Sequence, residues 1–223
     1  MMRSVLISIR PKWLWKIING EKTIELRKSR PRIDTPFKCY IYCTKPSKSR
    51  NTIFGHMVLN DDELYRHPKE GIKYGDSIEL MCCDDYTENN FLNGKVIGEF
   101  VCDAVDRMAH CGTSNNDISL KRVDERLYCK DIDRTYLEAC QMSFEEIKKY
   151  ANGRDVYGWH ISSLKIYDNP RDLNEFSSGS YRLTFSNSQN GFPWKWSGMK
   201  RPPQSWSYVE TEKRKDGATN EKL

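Results

Sequence analysis

Three ionisable side chains that follow the first helical pattern of the chain could together hold a phosphate or a base. Lys22 stands just after a glycine that ends the predicted helix. Glu25 and Arg27 share one face of the predicted strand that comes next, because alternate residues of a strand point the same way. Cations bind phosphate, and a carboxylate among them can accept a hydrogen bond from a base amino group. The alternative interpretation is a solvated strand face with ordinary ion pairs.

Further basic residues surround this motif in the sequence. Arg10 precedes the predicted helix, and three more cations follow the strand in a loop that also holds two prolines, namely Lys28, Arg30 and Arg32. Such a row of cations is typical of a rim that contacts phosphate groups. It is equally typical of a basic surface without a dedicated partner.

Aromatic residues give a second signal for nucleic-acid binding. Trp159 and His160 are adjacent in a predicted strand, and Trp206 lies in a basic segment near the end of the chain. Flat side chains beside cations can stack on single-stranded or flipped bases. Large aromatic residues also fill hydrophobic cores, and for Trp159 the core interpretation is the favoured one.

Charge is segregated along the chain. The 223 residues carry a net charge of +5, but residues 1–50 hold 13 lysines and arginines against 3 acidic residues, whereas residues 51–150 hold 12 against 20. This segregation predicts a basic face, and basic faces meet phosphates. The content of 12% aromatic and 30% charged residues excludes a disordered chain and a membrane protein. Because no signal-peptide pattern is found, we expect a cytoplasmic protein.

The eight cysteines are expected to be buried or free thiols, since nothing indicates secretion. Four of them lie among apolar residues, at Cys39, Cys43, Cys102 and Cys140. No CxxC pair exists, so we expect no structural metal. The chain also lacks GxSxG, a P-loop and the dinucleotide-binding glycine pattern, so we expect no cofactor.

The first fifty residues predict a strand, a helix and two further strands. Alternating side chains from Val5 to Ile9 favour a strand with one buried face. Pro11 suits the first position of a helix, and Gly20 suits its end. The second strand, over 21–27, is predicted to have a charged outer face, and the third runs over 37–44.

The remainder of the chain predicts two more strands, over 95–104 and 157–167, and a helix over 144–151 that begins with a capping box of Ser143 and Glu146. The polar stretch 106–134 shows no clear period.

The predicted organisation is a single domain over residues 1–210. It carries an insertion of strands and loops at about 46–94. A disordered tail is predicted over 211–223.

The opening motif follows the pattern G-x-K-x-x-x-x-R, with Gly20, Lys22 and Arg27 at its defined positions. It resembles the hallmark of the ASCH domain, a member of the PUA-like superfamily. Three later segments are similar to pieces of phage and bacterial ASCH-like proteins, namely 94–100, 157–162 and 201–206. The resemblance covers residues 4–45, 95–167 and 200–209.

This resemblance implies an α+β fold, a small mixed β-barrel with flanking helices, and a cleft near the first helix. Related domains bind RNA or modified nucleobases, so the expected function is a nucleic-acid-binding module for RNA, a nucleotide or a modified nucleoside. A protein partner that contacts residues 46–94 is a further alternative. The expected binding residues are Ser8, Arg10, Lys22, Glu25, Arg27, Lys28, Arg30, Trp159, His160 and Trp206.

An enzyme on the same fold is the alternative function. The resemblance extends to bacterial amidohydrolases that act on N4-acetylcytidine and to relatives reported as ribonucleases. In the amidohydrolases the motif lysine is catalytic and works with a threonine and a glutamate. Lys22 matches that lysine, whereas Glu25 stands at the threonine position. Lys22 and Glu25 are therefore the catalytic candidates, and acid–base chemistry is what they could supply.

Overall fold

The computed structural model describes residues 4–45, 53–57, 77–81, 92–111, 119–123, 128–178 and 198–211, and the side chains of all of these except 53–57, 77–81 and 168. They form three α-helices, α1 (Pro11–Ile18), α2 (Arg134–Cys140) and α3 (Phe144–Ala151). The strands are β1 (Ser4–Ile9), β2 (Ile24–Arg27), β3 (Phe37–Cys43), β4 (Ile53–Met57), β5 (Ser77–Met81), β6 (Val96–Cys111), β7 (Ser119–Val123), β8 (Cys129–Lys130), β9 (Val156–Arg171), β10 (Phe176–Ser177) and β11 (Trp206–Thr211). The predicted tail, apart from Thr211, lies outside the described residues.

Nine strands form one mixed sheet, in the order β10-β11-β1-β3-β6-β7-β8, with β9 along the other edge of β6 and β2 beyond β9. Only β1 and β3 are parallel among the described pairs. The fold class is α+β, as expected. The sheet is not closed into the expected barrel, because within the described ranges no backbone ladder joins β2 to β1 or to β10. Two strands of the predicted insertion, β4 and β5, pair separately and contact α1.

Strand β1 is buried on both faces, which corrects the expectation of a single buried face. Val5, Ile7 and Ile9 belong to the main hydrophobic core, whereas Leu6 packs into a second cluster with Phe176. The physical reason is that a separate hydrophobic cluster packs on each face of β1, while β3 and β11 pair with its two edges.

Helix α1 begins and ends where the sequence predicts. Pro11 occupies the first position, Leu14 and Ile17 are buried, and Gly20 adopts a φ of +74°, which glycine reaches without strain. The amide of Gly20 donates to the carbonyl of Ile17, and the amide of Lys22 donates to the carbonyl of Lys16. This turn folds the chain back against the helix and delivers Lys22 to the start of β2.

The longest pairing in the sheet joins β6 to β9 and is interrupted by register shifts, one of them between Cys102 and Val105. Strand β6 continues to Cys111, β7 and β8 follow within the stretch 106–134 where the sequence shows no period, and α2 begins at the last residue of that stretch. A disulfide links Cys111 to Cys129, so these two cysteines are not the free thiols that were expected. The four cysteines that the sequence places among apolar residues are free and buried.

Helix α3 has the predicted capping box, in which Ser143 and Glu146 exchange hydrogen bonds, and it ends at Asn152 in the left-handed conformation. Its buried residue Ile147 packs with Met108 and Leu120 in a cluster on the face of β2 opposite the main core. No helix among the described residues is long and apolar enough to cross a membrane.

Candidate functional site

The predicted cluster of Lys22, Glu25 and Arg27 forms a buried chain of ion pairs. The Nζ atom of Lys22 lies 3.5 Å from Oε2 of Glu25, and Nη2 of Arg27 lies 3.1 Å from Oε1 of the same carboxylate. The three residues are 2%, 6% and 9% exposed. The structure therefore brings these three predicted residues together, with the carboxylate between the two cations. We call them the buried triplet.

Burial of this face corrects the prediction of a charged outer face on β2. All four residues of β2 are buried. Leu26 and Ile24 pack against α2 and α3, while Glu25 lies directly opposite Trp159 of β9 on the other face. The local alternation correctly separates apolar from charged side chains. It cannot show that the charged face is also covered, because the covering residues are distant in sequence.

Lys22 is held by groups from two helices. Its Nζ donates a 2.6 Å hydrogen bond to the backbone carbonyl of Cys140, at the end of α2, and lies 5.2 Å from the ring of Trp13 on α1. A cation over an indole ring is attracted by the ring's negative face. Burial raises the pKa of the Cys140 thiol to about 12, so this neighbour stays protonated at neutral pH and is no nucleophile there.

Arg27 connects the triplet to β1. Its Nη2 donates a 2.7 Å hydrogen bond to the backbone carbonyl of Ser8, while Nε is buried and has no hydrogen-bond partner among the described residues. Ser8, also expected at the site, is buried and donates its hydroxyl to the carbonyl of Pro203. Ser8 therefore contributes its carbonyl to the site, while its hydroxyl fixes the segment that leads into β11.

The triplet has a surplus of positive charge, since two cations share one carboxylate. Within the described part of the chain, Glu25 is the only carboxylate in ion-pair distance of either cation. The carbonyls of Ser8 and Cys140 supply further acceptors. A buried charge is stable only when it is paired and hydrogen-bonded, so this arrangement favours a ligand atom that accepts hydrogen bonds.

The two tryptophans expected to contact a ligand differ in exposure. Trp159 is 0% exposed and meets Phe37 edge-on at 5.6 Å, so it is a core residue, and its Nε1 has no partner among the described groups. Trp206 is half-buried, 5.9 Å from Trp159, and donates to the hydroxyl of Ser29. Trp159 therefore belongs to the core, whereas Trp206 reaches the loop that follows β2.

The expected basic rim is exposed. Arg10, Lys28 and Arg30 all lie at the surface, beside the ends of β1 and β2. Two hydrogen bonds tie the loop after β2 to β11, from Trp206 to Ser29 and from the Arg32 amide to the hydroxyl of Tyr208. Exposed cations therefore flank the place where β2 approaches β1 and β11, which we call the seam.

His160 is not part of the buried triplet, although the sequence places it beside Trp159. It lies opposite Ile24, on the other face of β9, and its Nε2 is 2.7 Å from Oδ2 of Asp106. Arg122 contacts the same carboxylate oxygen at 3.1 Å. Burial works against ionisation of Asp106, but the His160 hydrogen bond and the Arg122 charge together hold its pKa below the ordinary value. His160, Asp106 and Arg122 therefore form a structural network that is separate from the buried triplet.

Sequence reasoning missed the groups that complete the site from a distance. The carbonyl of Cys140 and the partnering role of the Ser8 carbonyl leave no side-chain signal, because every residue has a carbonyl. Trp13 carried a signal, as it lies one helical turn before the buried Ile17, on the helix that leads into the motif. Among the described residues, no group of three His, Cys, Asp or Glu side chains could hold a metal ion.

No protein-family model matches the chain, and no curated protein matches it in sequence. Among solved structures, the ASCH protein of Zymomonas mobilis is similar over 93% of this chain and 87% of its own, with 14% identity and a TM-score of 0.44. A point variant of that protein is similar over 93% and 90%, with 15% identity and a TM-score of 0.45. Both are ASCH structures, and ASCH is the family that the opening motif of this chain resembles.

Proposed function

We propose that this chain binds RNA or a single nucleotide at the seam, with a base at the buried triplet and phosphate groups at the exposed rim. The observation that carries the proposal is the carboxylate of Glu25 held between Lys22 and Arg27 in the interior, with exposed cations directly outside. Interior groups of both signs suit a polar base edge, and surface cations suit phosphate.

The rim supports the phosphate part of the proposal. Arg10 follows the end of β1, and Lys28 and Arg30 follow the end of β2, so cations border the seam on both sides. Each phosphate contact releases counterions, so the logarithm of the affinity for a single strand falls by about 0.7 per contact for each tenfold rise in salt. Binding should therefore weaken steeply between low and moderate salt.

The direct experiment is a salt titration with short single-stranded RNA and DNA, followed by fluorescence anisotropy. Changing Lys28 and Arg30 to alanine should reduce the slope of log affinity against log salt concentration by about 0.7 to 1.4, which corresponds to the loss of one or two phosphate contacts. Lys165→Ala is the matched control, because Lys165 is exposed on β9 beyond the part that pairs with β2, and it should leave the slope unchanged. Absence of binding to RNA, DNA and nucleotides at low salt would reject the proposal.

An enzyme at the same residues is the second candidate, and the contact between Lys22 and Glu25 favours it. A lysine and a carboxylate 3.5 Å apart in the interior can pass a proton between them and a bound base. Turnover of N4-acetylcytidine or of RNA that is lost in Lys22→Met, while the variant remains folded, would establish this activity. If multiple-turnover assays at high enzyme concentration give no product, the enzyme candidate is rejected and the binding function remains.

A further inference from the structure

Two buried N–H groups near the triplet have no hydrogen-bond partner among the described residues. They are Nε of Arg27 and Nε1 of Trp159. Arg27 is 9% exposed and Trp159 is 0% exposed. Buried donors are nearly always paired in native proteins, because an unpaired one loses its bonds to water without replacement. Two such donors in one region therefore point to a group that completes them.

The two donors lie on the same face of the sheet as Glu25. Glu25 is directly opposite Trp159 in the antiparallel pair of β2 and β9, and Arg27 is two residues further along β2. Directly opposite residues share a face with Cβ atoms about 5 Å apart, and diagonal neighbours are about 7–8 Å apart. The residues that carry the unpaired donors thus share a face with Glu25, whose two carboxylate oxygens face Lys22 and Arg27.

This combination of donors and acceptor fits one ligand chemistry. Two N–H donors require an acceptor such as a carbonyl oxygen or an unprotonated ring nitrogen, and Glu25 can take an N–H of the ligand. A phosphate would satisfy the donors, but its negative charge would meet the carboxylate of Glu25 at close range. A neutral heterocycle edge with an acceptor beside an N–H meets both requirements.

We propose that Arg27 Nε and Trp159 Nε1 are specificity-determining donors that read an acceptor on a nucleobase edge while Glu25 accepts its neighbouring N–H. This inference rests on the proposed function and adds which part of the nucleotide enters the interior. The base edge enters through the seam, where side-chain hydrogen bonds, such as Arg27 to the Ser8 carbonyl, replace a backbone ladder. The phosphate stays outside with the rim cations.

Nuclear magnetic resonance tests the two donors directly, because the Nε–H of arginine and the Nε1–H of tryptophan both give signals in nitrogen-15 spectra. The full chain is titrated with cytidine, adenosine, guanosine and uridine, and separately with inorganic phosphate and ribose 5-phosphate. The Trp159 and Arg27 signals, assigned through Trp159→Phe and Arg27→Lys, should move downfield with at least one nucleoside. Neither phosphate probe should move them.

Affinity measurements supply the second readout. Trp159→Phe keeps an aromatic ring but removes the donor, and it should weaken nucleoside binding about tenfold, which is the value of one hydrogen bond. Phe37→Leu is the matched control, since Phe37 packs on Trp159 without offering a donor, and it should change the affinity less than twofold. Urea unfolding of both variants checks that they remain folded.

The outcomes separate this inference from the proposed function. Nucleoside binding seen by calorimetry while both N–H signals stay in place would overturn the inference and leave the function intact. Signals that move with inorganic phosphate alone would overturn the assignment of the base to the interior. Absence of binding to every nucleoside, nucleotide and oligonucleotide would overturn both.

Discussion

The Nη2 atom of Arg27 lies 2.7 Å from the carbonyl oxygen of Ser8, and this hydrogen bond links β2 to β1 at a place where the described backbone forms no ladder. The same nitrogen lies 3.1 Å from Glu25. One guanidinium therefore spans the seam and neutralises the interior carboxylate. The two N–H groups of this nitrogen can serve both acceptors, and a lysine ammonium, a point charge on a flexible stem, lacks the fixed planar geometry that places them.

Arg27→Lys should destabilise the protein by about 1.5–3 kcal/mol, the value of hydrogen bonds to charged groups in a buried setting. The free energy of unfolding in urea measures this. Arg107→Lys is the control, because Arg107 pairs with Asp155 at a partly exposed position and should cost less than about 1 kcal/mol. Equal costs for the two variants would contradict a structural role for the contact with Ser8.

The central carboxylate and the lysine of the triplet should respond differently to neutralisation. Glu25→Gln leaves Lys22 and Arg27 without their shared counter-charge and should cost about 3–5 kcal/mol. Lys22→Met leaves a balanced pair of Glu25 and Arg27 and should cost less, about 1–3 kcal/mol. The free energies of unfolding in urea show which of the two variants loses more stability. Lys38→Met removes an exposed pair with Glu99 and should cost less than about 1 kcal/mol.

A greater loss in Lys22→Met than in Glu25→Gln would contradict the surplus of positive charge. It would mean that a further carboxylate, from residues outside the described ranges, balances the triplet.

Gly158→Ala should destabilise the protein by about 1–3 kcal/mol through overpacking. A Cβ at this position would overlap the hydroxyl oxygen of Tyr136 and lie 2.9 Å from a methyl group of Ile24. In a Tyr136→Phe background the overlapping oxygen is gone, so the penalty of Gly158→Ala should be smaller. Thermal unfolding of the four proteins in this cycle measures the coupling, and an unchanged penalty would show that Tyr136 does not set it.

Asp106 should make stability dependent on pH in the acid range. The hydrogen bond from His160 and the charge of Arg122 hold its pKa below the ordinary value, against the effect of burial. A carboxylate with a depressed folded pKa contributes stability above its unfolded pKa of about 3.9 and loses it as pH falls through the folded value. Asp106→Asn should therefore be less stable than the wild type near neutral pH, and the difference should narrow below about pH 4.

Urea unfolding between about pH 7 and pH 3 measures this difference. A constant gap between the two proteins over the whole range would contradict the linkage, because a group that titrates identically in both states contributes no pH dependence.

Local patterns predicted the elements that carry the site. Pro11 and Gly20 mark the ends of α1, and the capping box of Ser143 and Glu146 marks the start of α3, because these signals act within one turn of the chain. The stretch 106–134 was missed, because its strands are short, partly exposed or edge strands without strong alternation.

The sequence by itself determined that Lys22, Glu25 and Arg27 stand close together, since a helix-ending glycine and the two-residue period of a strand act over fewer than ten residues. Only the tertiary structure decided that they are buried and which groups join them. Trp159 faces Glu25, the Ser8 carbonyl receives Arg27, and His160 turns to the other face. Strand register and the packing of distant segments set such contacts. Lys22 and Cys140 are 118 residues apart in the sequence, and Ser8 and Pro203 are 195 residues apart. No local pattern encodes such a separation.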